Sequence, residues 1–561
     1  MLKEEFRREA SPYFILMVLI AISLPFSKFT LTLFEILLLL FWAAHGVRLQ
    51  PFSHNGIFLK RIWQYLVQLL LDFGRSLKMK MRLFFDNPVA LGITSLFLLH
   101  IIGLSNTSDF AYAWKDIRTK LPLLILPLVM ASMPRLSQVQ TNVLRRMFVL
   151  AVFVGTLISI RLYLKRDFDD IRDISPFISS VRFALMVVFS FFLLLIEIFS
   201  SPKISLKQQL FLTLPASWFI VYLIILESVI GILSVFIILL ILLMRLIFRS
   251  ASWRTKLVLF VFAILFFIGS MYYVAMVSTR LTTHKPLDIS KLDKLSKLGN
   301  VYRHDTIHFG VENGRYVGIY FAEEELSQAW NQRSHYDFYG RDDAGQLIMY
   351  TIIRYLTSAD LRKDAEGVAA LSTEDIRHIE NGIANREYIT KPGLSNRISK
   401  IITGYQQSIY MNDPSGSSFM QRIEHLKASL MLIQKHFWWG VGTGDIPDAF
   451  RQIYDEMNSR LKPEVRWRSH NQYLSIWIGF GVFGFIGFVG VLVFLLLYRR
   501  AYLNVRFFVF WLIMVLSMFS EDTLETQIGV TLFAFFFCFF CLAANADTSV
   551  SIQTIRNPIE L

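Results

Sequence analysis

VRWRSHNQYLSIWIGFGVFGFIGF, residues 465–488, places Arg466, Arg468 and His470 at every second position and then passes into an apolar run that continues to about residue 498. About 20 apolar residues in a helix cross the roughly 30 Å hydrocarbon layer of a bilayer. Asn471 therefore reads as the boundary where the chain enters a membrane. Working outward, comparable runs lie at about 13–27, 29–46, 88–104, 119–133, 147–163, 181–199, 209–226, 229–247, 257–277, 507–520 and 527–545. The composition agrees: 54% of the 561 residues are hydrophobic and 18% charged, against about a quarter charged in soluble domains. The reading is an all-α polytopic membrane protein with about twelve transmembrane helices, and it excludes disorder and a fully soluble enzyme.

Lys and Arg near span ends are retained on the cytoplasmic side. Arg75, Lys78, Lys80 and Arg82; Arg135, Arg145 and Arg146; Arg245, Arg249, Arg254 and Lys256; and Arg499, Arg500 and Arg506 all fall there when the N-terminus is inside. The charged start, from Lys3 to Glu9, precedes a first span read as a retained helix. Residues 57–73 mix Lys60 and Arg61 with Trp63 and Tyr65 and read as a cytoplasmic interfacial segment. This divides the chain into a membrane domain at 1–278, a large, mainly helical periplasmic segment at 279–471, a second membrane domain at 472–546 and a cytoplasmic tail at 547–561. Residues 279–471 hold 25 basic and 24 acidic residues, so +13 of the chain's net +14 belongs to the remainder. The excess charge is an orientation signal and does not point to nucleic acid.

Cys538 and Cys541, in FAFFFCFFCL, lie within the last apolar run and read as packing. Eight of the eleven histidines fall in 279–471, among them His284, His335, His378 and His436. His304 and His308 stand four apart in YRHDTIHFG, but without the glutamate of a zinc-binding helix, and they read as surface residues; no metal or cofactor is expected. In the same segment, AEEELSQAWNQRS suits a helix with acids in its first turn. Ser372 or Thr373 followed by Asp375 marks a helix start, with its stop at Asn381 and Gly382.

From Ser418 the pattern sharpens. Residues 420–437 read as a helix with Ile423, Leu426, Leu430 and Ile433 on one face and Arg422 and His425 at its edge. Gly440, Gly442 and Gly444 follow. They form either a flexible connection or a backbone N–H nest for a phosphate oxygen. Asp445 is placed to cap the next helix, with Pro447 in its first turn. At the membrane boundary, the guanidinium groups of Arg466 and Arg468 suit phosphate, and His470 suits proton removal near neutral pH.

The ordered set of Arg422, the stretch RIEHLKASLMLIQKHFWWGVGTGD, and SHNQYL leading into IGFGVFGFIG resembles the O-antigen ligase and polymerase superfamily across about 80 residues. The resemblance implies a metal-independent, inverting membrane glycosyltransferase of the C-type fold in a bacterial inner membrane, with both termini cytoplasmic and a periplasmic site. It would move a glycan from undecaprenyl pyrophosphate to an acceptor, the lipid A core for a ligase. It places the loop arginine on Arg422 and the boundary histidine, the catalytic base, on His470. The second functional arginine of many relatives follows the seventh or eighth span, where this chain reads LESVIGIL with no arginine, so Arg182 in FISSVRFALM is assigned in its place. Arg468, Arg466, Asn471, Gly442 and Gly444 complete the expected pyrophosphate and glycan contacts.

O-antigen polymerase and protein O-oligosaccharyltransferase activities would use the same donor and remain open. From a different class, a lipid-linked glycan transporter or flippase is suggested by the intramembrane acids Glu35 and Glu197. Against it stands the lack of an internal repeat. Residues 280–412 carry no assignable motif, and acceptor recognition is their expected use.

Overall fold

The structure, a computed structural model, describes residues 12–47, 58–165, 171–200, 205–249, 252–283, 287–390, 393–410 and 413–544. His284 and the tail from residue 547 lie outside them. Among the described residues, seven helices are long and apolar enough to cross a membrane: Pro88–Asn106, Gln138–Tyr163, Ser180–Phe199, Leu206–Ile225, Val229–Phe248, Trp253–Thr282 and Gln472–Leu503. Shorter apolar helices at Pro12–Ser23, Val505–Ser517 and Gln527–Ala543 pack among them. The protein is an all-α polytopic membrane protein.

Local chemistry sets the helix ends. Asn87 caps Val89 and Ala90 ahead of Pro88, and Ser137 with Gln140 and Ser205 with Gln208 form reciprocal capping boxes. The run expected as one span at 119–133 is instead divided: a helix at Phe110–Lys120 ends, and a second starts at Pro122 and runs to Ser132. Proline has no N–H to continue the first helix but suits the first turn of the next.

The helix Ser180–Ser200 lies at the centre, with 72% of its most apolar window buried. Phe148, Phe189, Phe510 and Phe536, with ring centroids 4.9–5.8 Å apart, bind four helices there. Cys538 is buried in the same core, and both cysteines are free, in keeping with a packing role. Trp253–Thr282 is the opposite case: its apolar window is not buried at all, the exposure expected of a helix facing lipid.

The intramembrane acids and one basic residue have local partners. Glu35 accepts from the Thr531 hydroxyl at 2.5 Å and the Gln527 amide at 3.4 Å, and not from a Lys or Arg. Glu197 pairs with Arg146 at 2.6 Å. Lys80, expected in a solvated cytoplasmic cluster, is buried and donates to the carbonyls of Trp42 and His45. Residues 57–73 fall mostly in a helix, Phe58–Phe85, that carries Lys80.

Between the helix Trp253–Thr282 and the helix Gln472–Leu497, the described residues form two cores. One, centred on Trp330, Phe338, Ile352, Tyr355 and Leu356, belongs to residues 309–379. The other joins Ala428, Leu432, Ile446, Phe450, Ile453 and Tyr454 to Ile478 of the membrane helix. Helices form at Glu323–Asn331 and at Thr373–Glu380, the latter with the expected Ser372–Asp375 box and Asn381 at its end. Two antiparallel strand pairs, Arg303–Asp305 with Gly318–Phe321 and Val311–Glu312 with Arg315–Tyr316, add β-structure that the sequence reading did not contain. His304 is held inside the first pair, one ring nitrogen on the Asp293 carbonyl and the other accepting from the Tyr320 N–H; His308 pairs with Asp305 at 2.9 Å.

Candidate active site

The connection between Val505–Ser517 and Gln527–Cys538 reads SEDTLE at 520–525, and it organises the site. Arg422 lies in the second turn of the helix Ser418–Lys435, which Ser417 caps. Its guanidinium donates to the Ser520 carbonyl at 2.8 Å and to Glu521 at 3.0 Å, and 39% of the side chain stays exposed. Arg182 comes to the same place from the helix Ser180–Ser200: Glu521 and Asp522 are the acids acting on it, and its buried Nε has no partner. The two arginines assigned to one substrate group thus converge on one acidic turn.

Asn471 caps the membrane helix Gln472–Leu497, accepting from the Leu474 N–H at 3.1 Å and donating to the Phe519 carbonyl at 3.0 Å. Its amide thus spends one N–H and one lone pair on the backbone, and the second of each is left over. Gln472 ties the same turn down: it donates to Glu525 and its side-chain oxygen accepts the Leu524 N–H at 2.7 Å. Ser469 and Ser475 both donate to Asp522.

His470 sits between these anchors at φ 48°, a left-handed conformation uncommon for a residue with a side chain. Such strain persists only where the surroundings over-determine it, and here Ser469 and Asn471 are both held. The half-buried His470 ring lies 5.3 Å from that of His425, tilted by 35°. His425 is almost wholly buried, with Nε2 bonded to the Val465 carbonyl at 3.0 Å, which makes that nitrogen the donor and leaves Nδ1 a bare acceptor without a partner. Burial lowers its pKa to about 4, so the ring is neutral at physiological pH.

Arg468 is half-buried and paired with Glu525 at 2.8 Å, its guanidinium 5.5 Å from the Tyr112 ring centroid. Glu525 also holds Lys120 at 3.0 Å; Lys120 holds Asp116 at 3.2 Å, which lies 3.7 Å from His100. Burial alone would raise the Glu525 pKa, but Lys120 and Arg468 keep it well below the ordinary carboxylate value. Burial alone would lower that of Arg468, and Glu525 holds it above the usual guanidinium value. Asp116, Lys120, Glu521, Asp522 and Glu525 were missed in the sequence. Three acids in a short turn between two apolar runs were the available signal.

Two expected phosphate contacts are corrected. The N–H groups of Gly442 and Gly444 already donate, to the Gly479 carbonyl and the Thr107 hydroxyl. A Cβ at Gly442 would come within 2.2 Å of the Asn106 carbonyl, so these glycines serve close packing and not a nest. Asp445 starts the helix Ile446–Glu456 but does not cap it; its carboxylate accepts the N–H groups of Ser108 and Asp109 at 2.7–3.0 Å. Arg466 is a clamp within the extramembrane segment, bonded to Asp455 at 2.6 Å and to the carbonyls of Leu461 and Ser459. Among the described residues, no group of three or more His, Cys, Asp or Glu side chains is arranged to hold a metal ion.

No curated protein matches the chain. Residues 383–489 match the family model described as O-antigen ligase, a span that contains Arg422, His425, Arg468, His470 and the kink of the membrane helix at Gly481. Residues 383–489 are thus similar to the O-antigen ligase family, within a chain whose described residues include seven helices long and apolar enough to cross a membrane.

Proposed function

We propose that the protein is a ligase-type glycosyltransferase that moves a glycan from undecaprenyl pyrophosphate to a lipid A core acceptor at the periplasmic face of a bacterial inner membrane. The observation that carries this is the convergence of Arg422 and Arg182 on the Glu521–Asp522 turn beside the helix that starts after His470. An arginine held near lipid needs an anionic partner. In the resting protein that partner is Glu521; in the reaction the donor's pyrophosphate takes its place.

The chemistry then balances. The acceptor hydroxyl attacks the anomeric carbon as its proton passes to the His470 ring, a carbon–oxygen bond forms, and the bond to pyrophosphate breaks from the opposite face with inversion. Arg422 and Arg182 stabilise the charge that collects on the leaving group. Buried, neutral His425 keeps a second positive charge away from the base. Arg468, bound to Glu525, fixes the loop segment that carries His470 and adds field without releasing its carboxylate.

The test is transfer by purified protein from polyprenyl-pyrophosphate-linked glycan to a lipid acceptor. His470→Ala lowers the rate about 100-fold or more, the usual contribution of a general base, and Arg422→Ala and Arg182→Ala lower it comparably while membrane insertion is kept. Transfer near the wild-type rate in His470→Ala would remove the base assignment. Products tell the alternatives apart: single-repeat extension marks a polymerase, and an intact donor lipid marks a transporter.

A further inference from the structure

A cavity of about 800 Å³ lies where the inserted residues 287–390 meet the membrane domain. That volume falls within the roughly 300–1,000 Å³ of small-molecule sites. Its wall reaches Ser417, Ser418 and Gln421, the residues directly before Arg422, so it adjoins the proposed reaction centre. The inserted part contributes Gln346, Arg354, His378 and Asn381; the membrane domain contributes Arg172 and Glu227.

The lining has a definite chemistry. Four cationic side chains, Arg172, Arg354, Arg397 and Lys400, line it together with one carboxylate, Glu227, which Lys400 approaches. Glu227 itself is drawn back, accepting the Gly393 N–H at 3.2 Å and the Asn396 amide at 2.8 Å, with Lys400 at 3.5 Å. Arg354 leans on buried Glu312 at 2.8 Å, behind the wall. His378 is 8% exposed, and its Nδ1 has no partner within the protein. A buried polar atom without a partner is costly unless something outside the chain satisfies it. Gln346, Asn381 and Gln421 offer amides of the kind that bind hydroxyls, and Tyr163 and Phe419 offer ring faces to sugar rings.

We infer that this cavity binds an acidic glycan, a short oligosaccharide bearing carboxylate or phosphate groups, and holds it next to Arg422. Guanidinium groups recognise such anions with paired hydrogen bonds, and the amides and rings recognise the neutral part. The inference rests on the transferase reading for the role of the bound glycan, but not for the binding itself. The glycan belongs either to the donor or to the acceptor, whose anionic chemistry is the same.

The test uses the full chain in detergent or nanodiscs, with an oligogalacturonate and its carboxyl-reduced, uncharged counterpart as probes. Wild type binds the acidic probe at least 10-fold more tightly, with an affinity that falls as salt rises. The double variant Arg172→Gln, Arg397→Gln loses that preference with its unfolding midpoint unchanged, and His378→Leu weakens both probes. Equal affinity for the two probes in wild type, or a preference retained in the double variant, overturns the inference. In the transfer assay the double variant raises KM for one substrate with kcat preserved. A change in KM for the lipid acceptor assigns the glycan to the acceptor, and a change for the pyrophosphate donor assigns it to the donor. No change in either overturns the inference. Binding preference without any transfer in wild type would instead overturn the transferase reading and leave this site standing.

Discussion

His470 and His425 show how much a single residue's setting matters. Both are imidazoles between the same two long apolar helices, yet one occupies a strained, half-buried position just before the helix Gln472–Leu497 and the other is almost wholly buried. Burial depresses the pKa of His425 to about 4 from 6.5. The unfolded chain therefore binds the extra proton first as pH falls. Stability from keeping the ring neutral is full above about pH 6.5 and is lost as pH falls towards 4. His425→Phe, which keeps a ring but cannot titrate, should flatten the fall in thermal midpoint between those values. A wild-type slope in that variant would mean that another group drives it. The spacing of Arg422 and His425 on one helix was legible in the sequence. That His425 lies against His470 was not, because the 44 residues between them include the rest of that helix, a second helix at Ile446–Glu456 and loops whose path no periodicity encodes.

At the scale of elements, the turn at 520–525 couples helices that are far apart in the chain. Glu525 accepts from Lys120, Arg468 and Gln472, three residues from three separate segments. Removing one member of a buried pair typically costs about 3–5 kcal/mol, because the remaining charge is left without compensation. Glu525→Ala should lower the detergent-solubilised unfolding midpoint on that scale and free the loop segment that carries Arg468 and His470. A midpoint within a degree of wild type would show that Lys120 and Arg468 find other partners. The helices themselves were largely readable, since capping residues and apolar runs are local signals. The split at Pro122 and the small strand pairs were not. Apolar length masks a break between two helices, and strands of two to four residues carry almost no pattern.

Across the whole molecule, two cores of different kinds meet. The aromatic core around Phe189 holds the membrane helices together, and the core around Trp330 belongs to the inserted segment alone. Trp330 is fully buried and its indole donates to the Tyr336 carbonyl at 2.9 Å. Trp330→Ala should cost about 3–5 kcal/mol. The loss should appear as faster proteolysis within 287–390 while the membrane helices still resist digestion. Concerted digestion of both parts would show one cooperative unit instead.

What the sequence by itself determined is the class of molecule, the place of its long apolar helices and the two residues that head the proposed chemistry, Arg422 and His470. Those follow from runs of apolar residues and short linear patterns, which are properties of neighbours along the chain. Which charges face each other was decided only by the tertiary structure. It set Arg422 on Glu521 within the field of the same acids that act on Arg182, bound Arg466 and Asn471 to the backbone, and gathered Arg172, Arg354, Arg397 and Lys400 around one cavity. Electrostatic pairing depends on distance through space and on burial, and neither is written in the order of residues.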